Sequence, residues 1–243
     1  MAMFGNTKRL EPVTGSSSLT LVNFAKVFLY MFMYLLITGG VAFGLGYVIA
    51  TSYVNSGYSD TVPTLYLGLI IGSAVALFIL MLVINFVFIR GKHSVLVPSI
   101  IYAVLVGVLL STFTIFVDWM LIGMAFAITA GVFGLMSVIA FLTKGSMAPL
   151  LMLAIGLFIG GMILGLVNFL LRSEMIAWVI SFIIFAALMF VSMFDIWRIK
   201  KIAEQGEMSK NLSYYCAFVM YVDFINIFVR ILYYLIIIFG NRR

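Results

Sequence analysis

Seven apolar runs, roughly 25–50, 64–89, 95–117, 119–142, 148–171, 176–195 and 212–238, decide what this chain can become. A helix needs about 20 residues to cross a bilayer core, and the runs have that length. Backbone groups in hydrocarbon have no water to bond, so a spanning segment satisfies them internally, as a helix or in a closed barrel. A barrel would show alternating strands of about 10 residues; these runs are continuous. Hydrophobic residues make up 65% of the 243 residues and charged residues 9%, too little polar surface for a soluble domain. The expected fold is an all-α integral membrane protein with seven transmembrane helices. Residues 1–20 read as a cytoplasmic polar N-terminal tail, and residues 21–243 as a single transmembrane domain.

The tail carries Lys8, Arg9 and Glu11 and lacks the apolar core and small-residue cleavage site of a secretory leader. The first span is therefore expected to insert uncleaved. Cys216 is the one cysteine and His93 the one histidine, so an intrachain disulfide and a Cys/His metal cluster are both excluded.

Lys and Arg concentrate on the cytoplasmic side of membrane proteins. Arg90 and Lys92 follow the second run, Lys144 the fourth, and Arg198, Lys200, Lys201 and Lys210 lie around the loop after the sixth. The intervening loops carry Asp60, Asp118, and the pair Arg172 and Glu174. This alternation predicts a cytoplasmic N-terminus and an extracytoplasmic C-terminus. Arg242 and Arg243 oppose it, so six spans with 212–238 re-entrant stands as the alternative. Gly68 and Gly72, the group Gly156, Gly160, Gly161 and Gly165, and the series Ala127, Ala130, Gly131 and Gly134 are spaced for close helix contact, as in a tight bundle.

Ionisable residues inside a span are costly and mark function by default. Asp195 closes the sixth run. Asp223, Asn226 and Arg230 lie within the seventh, in "MYVDFINIFVR". Seven residues make nearly two helical turns, so Cys216, Asp223, Arg230 and Tyr234 share a face, with Asn226 close beside it. That stripe is expected to point into the bundle or a wet cavity. The sixth and seventh spans are antiparallel, which lets Asp195 and Asp223 face each other toward the cytoplasmic side. Two carboxyls in contact cannot both ionise cheaply in a low dielectric and titrate as a unit. Such a pair is a proton-sensitive latch, with Arg90 placed to bind whichever carboxylate is charged. Carboxylates are also hard oxygen ligands for Ca²⁺, although the six or more donors of a tight site are not in view; a weak, transient site is the expectation. The plainer alternative makes Asp195 a solvated helix-end residue beside Arg198, and Asp223 and Arg230 polar links between helices.

"FDIWRIKKIAEQ" followed by "YVDFINIFVRIL" resembles the C-terminal signature of the transmembrane Bax inhibitor motif family. "AFAITAGVFGLMSVIAFLTK" is similar to that family's fourth span and "GVLLSTFTIF" to its third. The resemblance runs from about residue 22 to near the C-terminus. It implies seven helices, the C-terminal one enclosed by the other six, and a pH-sensitive calcium leak sensed by an aspartate pair. Asp195 and Asp223 match that pair. Arg90, in "FVFIRGKHS", matches the latching position at the end of the second span. The chain departs from the family at "GSM" after Lys144, and at Tyr233, where the family often has arginine; a role for Arg230 is left without a family counterpart. The short tail and loops look bacterial, which implies the inner membrane.

Three functions follow as expectations. The first is a cation leak gated by protonation of Asp195 and Asp223, with calcium as the permeant ion and no cofactor. The alternative is a regulatory scaffold that binds a membrane protease or other membrane proteins. The third, an intramembrane aspartyl protease, lacks its motifs: "MYV" precedes Asp223 where that class has Gly-x-Gly, and no proline follows Pro149. No Ser-His-Asp set or phosphate-binding glycine loop is present, so the chain reads as a non-enzyme. The basic loop near 198–210 also holds Glu204 and Glu207, fitting contact with anionic lipid and not with nucleic acid.

Overall fold

A computed structural model describes residues 16–55, 61–90, 94–206 and 208–239. Among them run seven helices: α1 (Ser16–Asn55), α2 (Thr61–Arg90), α3 (Leu96–Phe116), α4 (Trp119–Leu142), α5 (Ala148–Leu171), α6 (Glu174–Glu204) and α7 (Lys210–Phe239). All seven are long and apolar enough to span a membrane, as the apolar runs predict. The first fifteen residues, Lys92, His93 and the pair Arg242 and Arg243 lie outside the described residues.

Connections are short where the chain supplies caps. Val117 and Asp118 alone separate α3 from α4, and the Asp118 carboxylate accepts from Met120 N–H at 3.2 Å. At the α5–α6 turn, Arg172 takes a left-handed φ of 52°. The Asn168 side chain accepts from Ser173 N–H at 2.9 Å there. Each bond satisfies a backbone donor that a helix start leaves open.

Two helices are longer than their apolar runs. At 40 residues, α1 is about 60 Å long, twice the hydrocarbon thickness. Its first turns pack on the protein: Asn23 is buried and donates to Gly206 O at 2.8 Å in the α6–α7 connection. Helix α6 continues nine residues past Asp195 to Glu204, through what the apolar run alone assigns to a loop. Lys200 explains the continuation. Its side chain is buried and its Nζ donates to Phe141 O at 2.6 Å and Thr143 O at 3.1 Å. These carbonyls end α4, where the helix dipole favours a cation. The Phe141 ring lies beneath the ammonium, 5.2 Å away. Lys200→Met keeps the stem and loses these bonds, and is expected to destabilise the bundle by about 2 kcal/mol. Thermal unfolding in detergent, read from labelling of the buried Cys216 thiol, checks this.

Helix α1 packs along α3 and α7, α4 against α7 and α6, and α5 on the outside of α6. Helix α2 lies on α3 and reaches α7 through Asn85 and Phe88. The core therefore forms around α7, whose buried side chains include Tyr221, Phe224, Ile227 and Leu232. The close approach between helices falls elsewhere than the small-residue motifs suggest. A Cβ on Gly68, Gly72, Gly131, Gly134, Gly156, Gly160 or Gly165 would meet nothing within 4 Å, and one on Gly161 only ordinary contact with Ile184. Ala127 and Ala130 are exposed as well. The tight contacts are Gly46 against Thr114 and Gly107 against Thr38 and Val41, both between α1 and α3. Glycine spacing marks a face that permits contact; the packing of the whole bundle decides which face is used.

Candidate functional site: an aspartate pair between α6 and α7

Lys144, Arg198, Lys200, Lys201 and Lys210 lie where the end of α4 meets the last turns of α6 and the start of α7, and they form a basic face there. Asp223 lies thirteen residues along α7 from Lys210, about 20 Å. It is 8% exposed, and its Oδ2 is buried with no hydrogen-bond partner among the described residues. A buried carboxylate oxygen without a partner is a costly arrangement.

Asp195, half-buried, borders a cavity of about 90 Å³ with Arg198, Tyr215, Cys216 and Val219. Asp223 is one helical turn beyond Val219, within range of the Asp195 charge. The two aspartates are thus brought to one α6–α7 seam. The ion pairs among the described residues are Lys200–Glu204 at 3.6 Å and Lys201–Glu204 at 2.9 Å; neither aspartate takes part. Arg198 is exposed at the cavity rim. No group of three or more His, Cys, Asp or Glu forms a metal centre among the described residues. Two carboxylates give a divalent ion only part of its usual six to eight oxygen ligands.

The backbone of Arg90 ends α2, while its side chain, the proposed latch, lies outside the described residues. The preceding turn of α2 does reach the site. Tyr215 donates to Asn85 Oδ1 at 2.9 Å, and its ring stacks on Phe88 at 3.8 Å and 4°. This places α2 against the α7 turn that borders the Asp195 cavity. Sequence reading missed the contact, although Asn85, a lone amide in the apolar run "LVINFVFIR", was the available signal.

Along the same α7 face, Arg230 Nη1 donates to Ser181 Oγ at 3.3 Å, and Ser181 Oγ bonds Tyr234 Oη at 3.0 Å. Asp223, Arg230 and Tyr234 therefore turn toward the bundle, with Ser181 of α6 as a partner that the stripe argument did not supply. Asn226 does not join them. It is exposed; three residues turn a helix about 300° and leave it about 60° aside from Asp223. Asn226→Leu is expected to change stability by no more than about 0.5 kcal/mol, checked by the same thiol-labelling melt.

On the opposite side of α7, Tyr221 Oη bonds Thr38 Oγ1 at 2.6 Å, and Thr38 Oγ1 donates to Ala103 O at 3.0 Å. This ties α1, α3 and α7 together by one buried hydroxyl. Neither residue stands out in the sequence, since Thr and Tyr are ordinary in spans.

Comparison with known proteins identifies the family. The profile described as "Inhibitor of apoptosis-promoting Bax1" matches residues 21–241. The inner membrane protein YbhL of Escherichia coli K12 is 33% identical over 148 residues, 59% of this chain and 62% of that protein. The RP147 protein of Rickettsia prowazekii is 34% identical over 147 residues, 59% of this chain and 60% of its own. The chain thus spans about three fifths of the length of these two relatives. A Deinococcus radiodurans protein is 28% identical over 216 residues, 86% of this chain and 87% of its own. With seven spanning helices and a family match over nearly its whole length, the chain is a multi-pass membrane protein that belongs to the Bax inhibitor family.

Proposed function

We propose that the protein is a calcium-permeable leak gated by the charge state of the Asp195–Asp223 pair, with the basic face cytoplasmic and the C-terminus on the other side. The observation that carries this reading is Asp223 itself: a carboxyl buried on α7, one oxygen without a partner among the described residues, beside a second acid that borders a cavity. A proton or a cation bound there changes the charge in the seam, and so biases how α6 and α7 pack. Helix α2 registers the change through Phe88 and Asn85 on Tyr215. Calcium passes the pair as the transported ion, held briefly by carboxylate oxygens and released because the set is incomplete.

Purified protein in liposomes loaded with a calcium dye tests the proposal. Wild type is expected to admit calcium faster than protein-free vesicles, at a rate that changes with pH. A rate equal to that of empty vesicles removes the leak. A rate independent of pH removes the gate.

A further inference from the structure

A second cavity, of about 460 Å³, lies in the half of the bundle away from the basic face. It separates the α1–α3 pair from α4, and α7 forms its floor through Phe224 and Phe228. Among the described residues that line it, only Thr38 and Thr114 bear hydroxyls, and both hydroxyl protons are already donated to backbone carbonyls. Thr38 is held by Ala103 and Tyr221, and Thr114 donates toward Ala42 O at 3.1 Å and Ser111 O at 2.8 Å. The polar groups of a ligand would find few partners on so apolar a wall. Gly39, Gly40 and Gly123 line the space, and a Cβ on any of them would meet nothing within 4 Å.

The mouth is continuous with the surface that faces lipid. Phe32, Leu36, Phe43, Trp119 and Phe126 border the cavity and are each at least 42% exposed. Phe43 and Trp119 meet across it with ring centroids 5.6 Å apart. Trp119 opens α4, at the level where aromatic residues settle at a membrane interface.

We propose that this cavity is a binding site for one acyl chain of a membrane phospholipid, with the headgroup left at the interface near Trp119. A dry, apolar space that opens onto lipid takes the commonest apolar molecule within reach. Allowing about 30 Å³ per methylene, close to the share of a water molecule in the liquid, the cavity holds roughly fifteen such groups, the scale of one chain. The chain packs on Phe224, the neighbour of Asp223, and on Phe228 one turn further along. It supplies the dispersion contacts that an empty cavity would forfeit there.

The test uses liposomes containing phosphatidylcholine with a photoreactive diazirine at the chain end, followed by peptide mass spectrometry. Wild type is expected to be labelled within residues 224–228 as well as on lipid-facing α5, where Met162 and Leu166 are exposed. The double variant Gly40→Phe with Gly123→Phe fills the cavity and is expected to reduce α7 labelling about tenfold, with α5 labelling unchanged. Absence of label on 224–228 in wild type, or equal label in the variant, overturns the proposal. Extraction of the detergent-purified wild type gives a reading independent of the variant. About one retained phospholipid per chain supports the site. A quinone or other polycyclic molecule in its place, or nothing retained, overturns it.

Discussion

Asp223→Asn is expected to abolish the pH dependence of calcium flux while leaving the fold intact. The amide matches the carboxyl in size and shape, so Phe224, Ile227 and the other buried α7 side chains keep their packing. What is lost is the ability to change charge at a site where one oxygen has no partner among the described residues. A one-proton equilibrium shifts about tenfold per pH unit, or about 1.4 kcal/mol, so wild-type flux is expected to change by up to that factor for each pH unit within the titrating range. The variant is expected to give one flat rate from acid to neutral pH. Asp195→Asn is expected to displace the pH response rather than erase it, because Asp223 still titrates without its neighbour. Dye-loaded liposomes measure both variants beside wild type. If Asp223→Asn retains the wild-type pH profile, the pair is structural and the gate lies elsewhere.

The largest stability loss is expected at a glycine remote from the aspartates. A Cβ on Gly107 would stand 2.7 Å from Val41 Cβ and 2.8 Å from Thr38 O. Both are on the facing helix, and Thr38 O is backbone that cannot rotate away. Gly107→Val forces α3 off α1. It thereby strains the Thr38 bond to Ala103 O and, through Thr38, the bond to Tyr221 on α7. Overpacking costs about 1–3 kcal/mol, and each stretched hydrogen bond about 1 kcal/mol more, so a loss of about 3–5 kcal/mol is expected. Cys216, the only cysteine and a buried one, supplies the readout: its thiol reacts with a maleimide dye only as the bundle opens. Gly68→Ala, in a conspicuous GxxxG where an added Cβ meets nothing, is the matched control and is expected to melt like wild type. A Gly107→Val melt equal to that control would mean the α1–α3 contact yields without cost.

The two variants separate what each level of structure contributes. The candidate site was legible from residue type, because an acid in an apolar helix is rare enough to stand out. The packing contact was not, because glycine is common in spans and its role depends on which helix arrives opposite.

The sequence by itself determined the seven helices and their approximate limits. Hydrocarbon leaves the backbone no alternative, and run length against bilayer thickness sets the number of crossings. It also allowed Asp195 and Asp223 to face each other, since consecutive antiparallel helices bring their residues past each other. Tertiary structure alone decided the rest. Lys200 became a buried cap because the end of α4 lies beside it, and this carried α6 nine residues beyond its apolar run. Asn226 fell outside the polar stripe, exposed where Asp223 is buried. Tyr215 acquired Asn85 and Phe88 because α2 reaches α7 at that level. The large apolar cavity exists because α4 stands away from α1 and α3, a spacing written in no single run. Helix formation is a local bargain between backbone and solvent, readable one segment at a time. Contact between helices depends on the simultaneous placement of all seven, and no segment carries that alone.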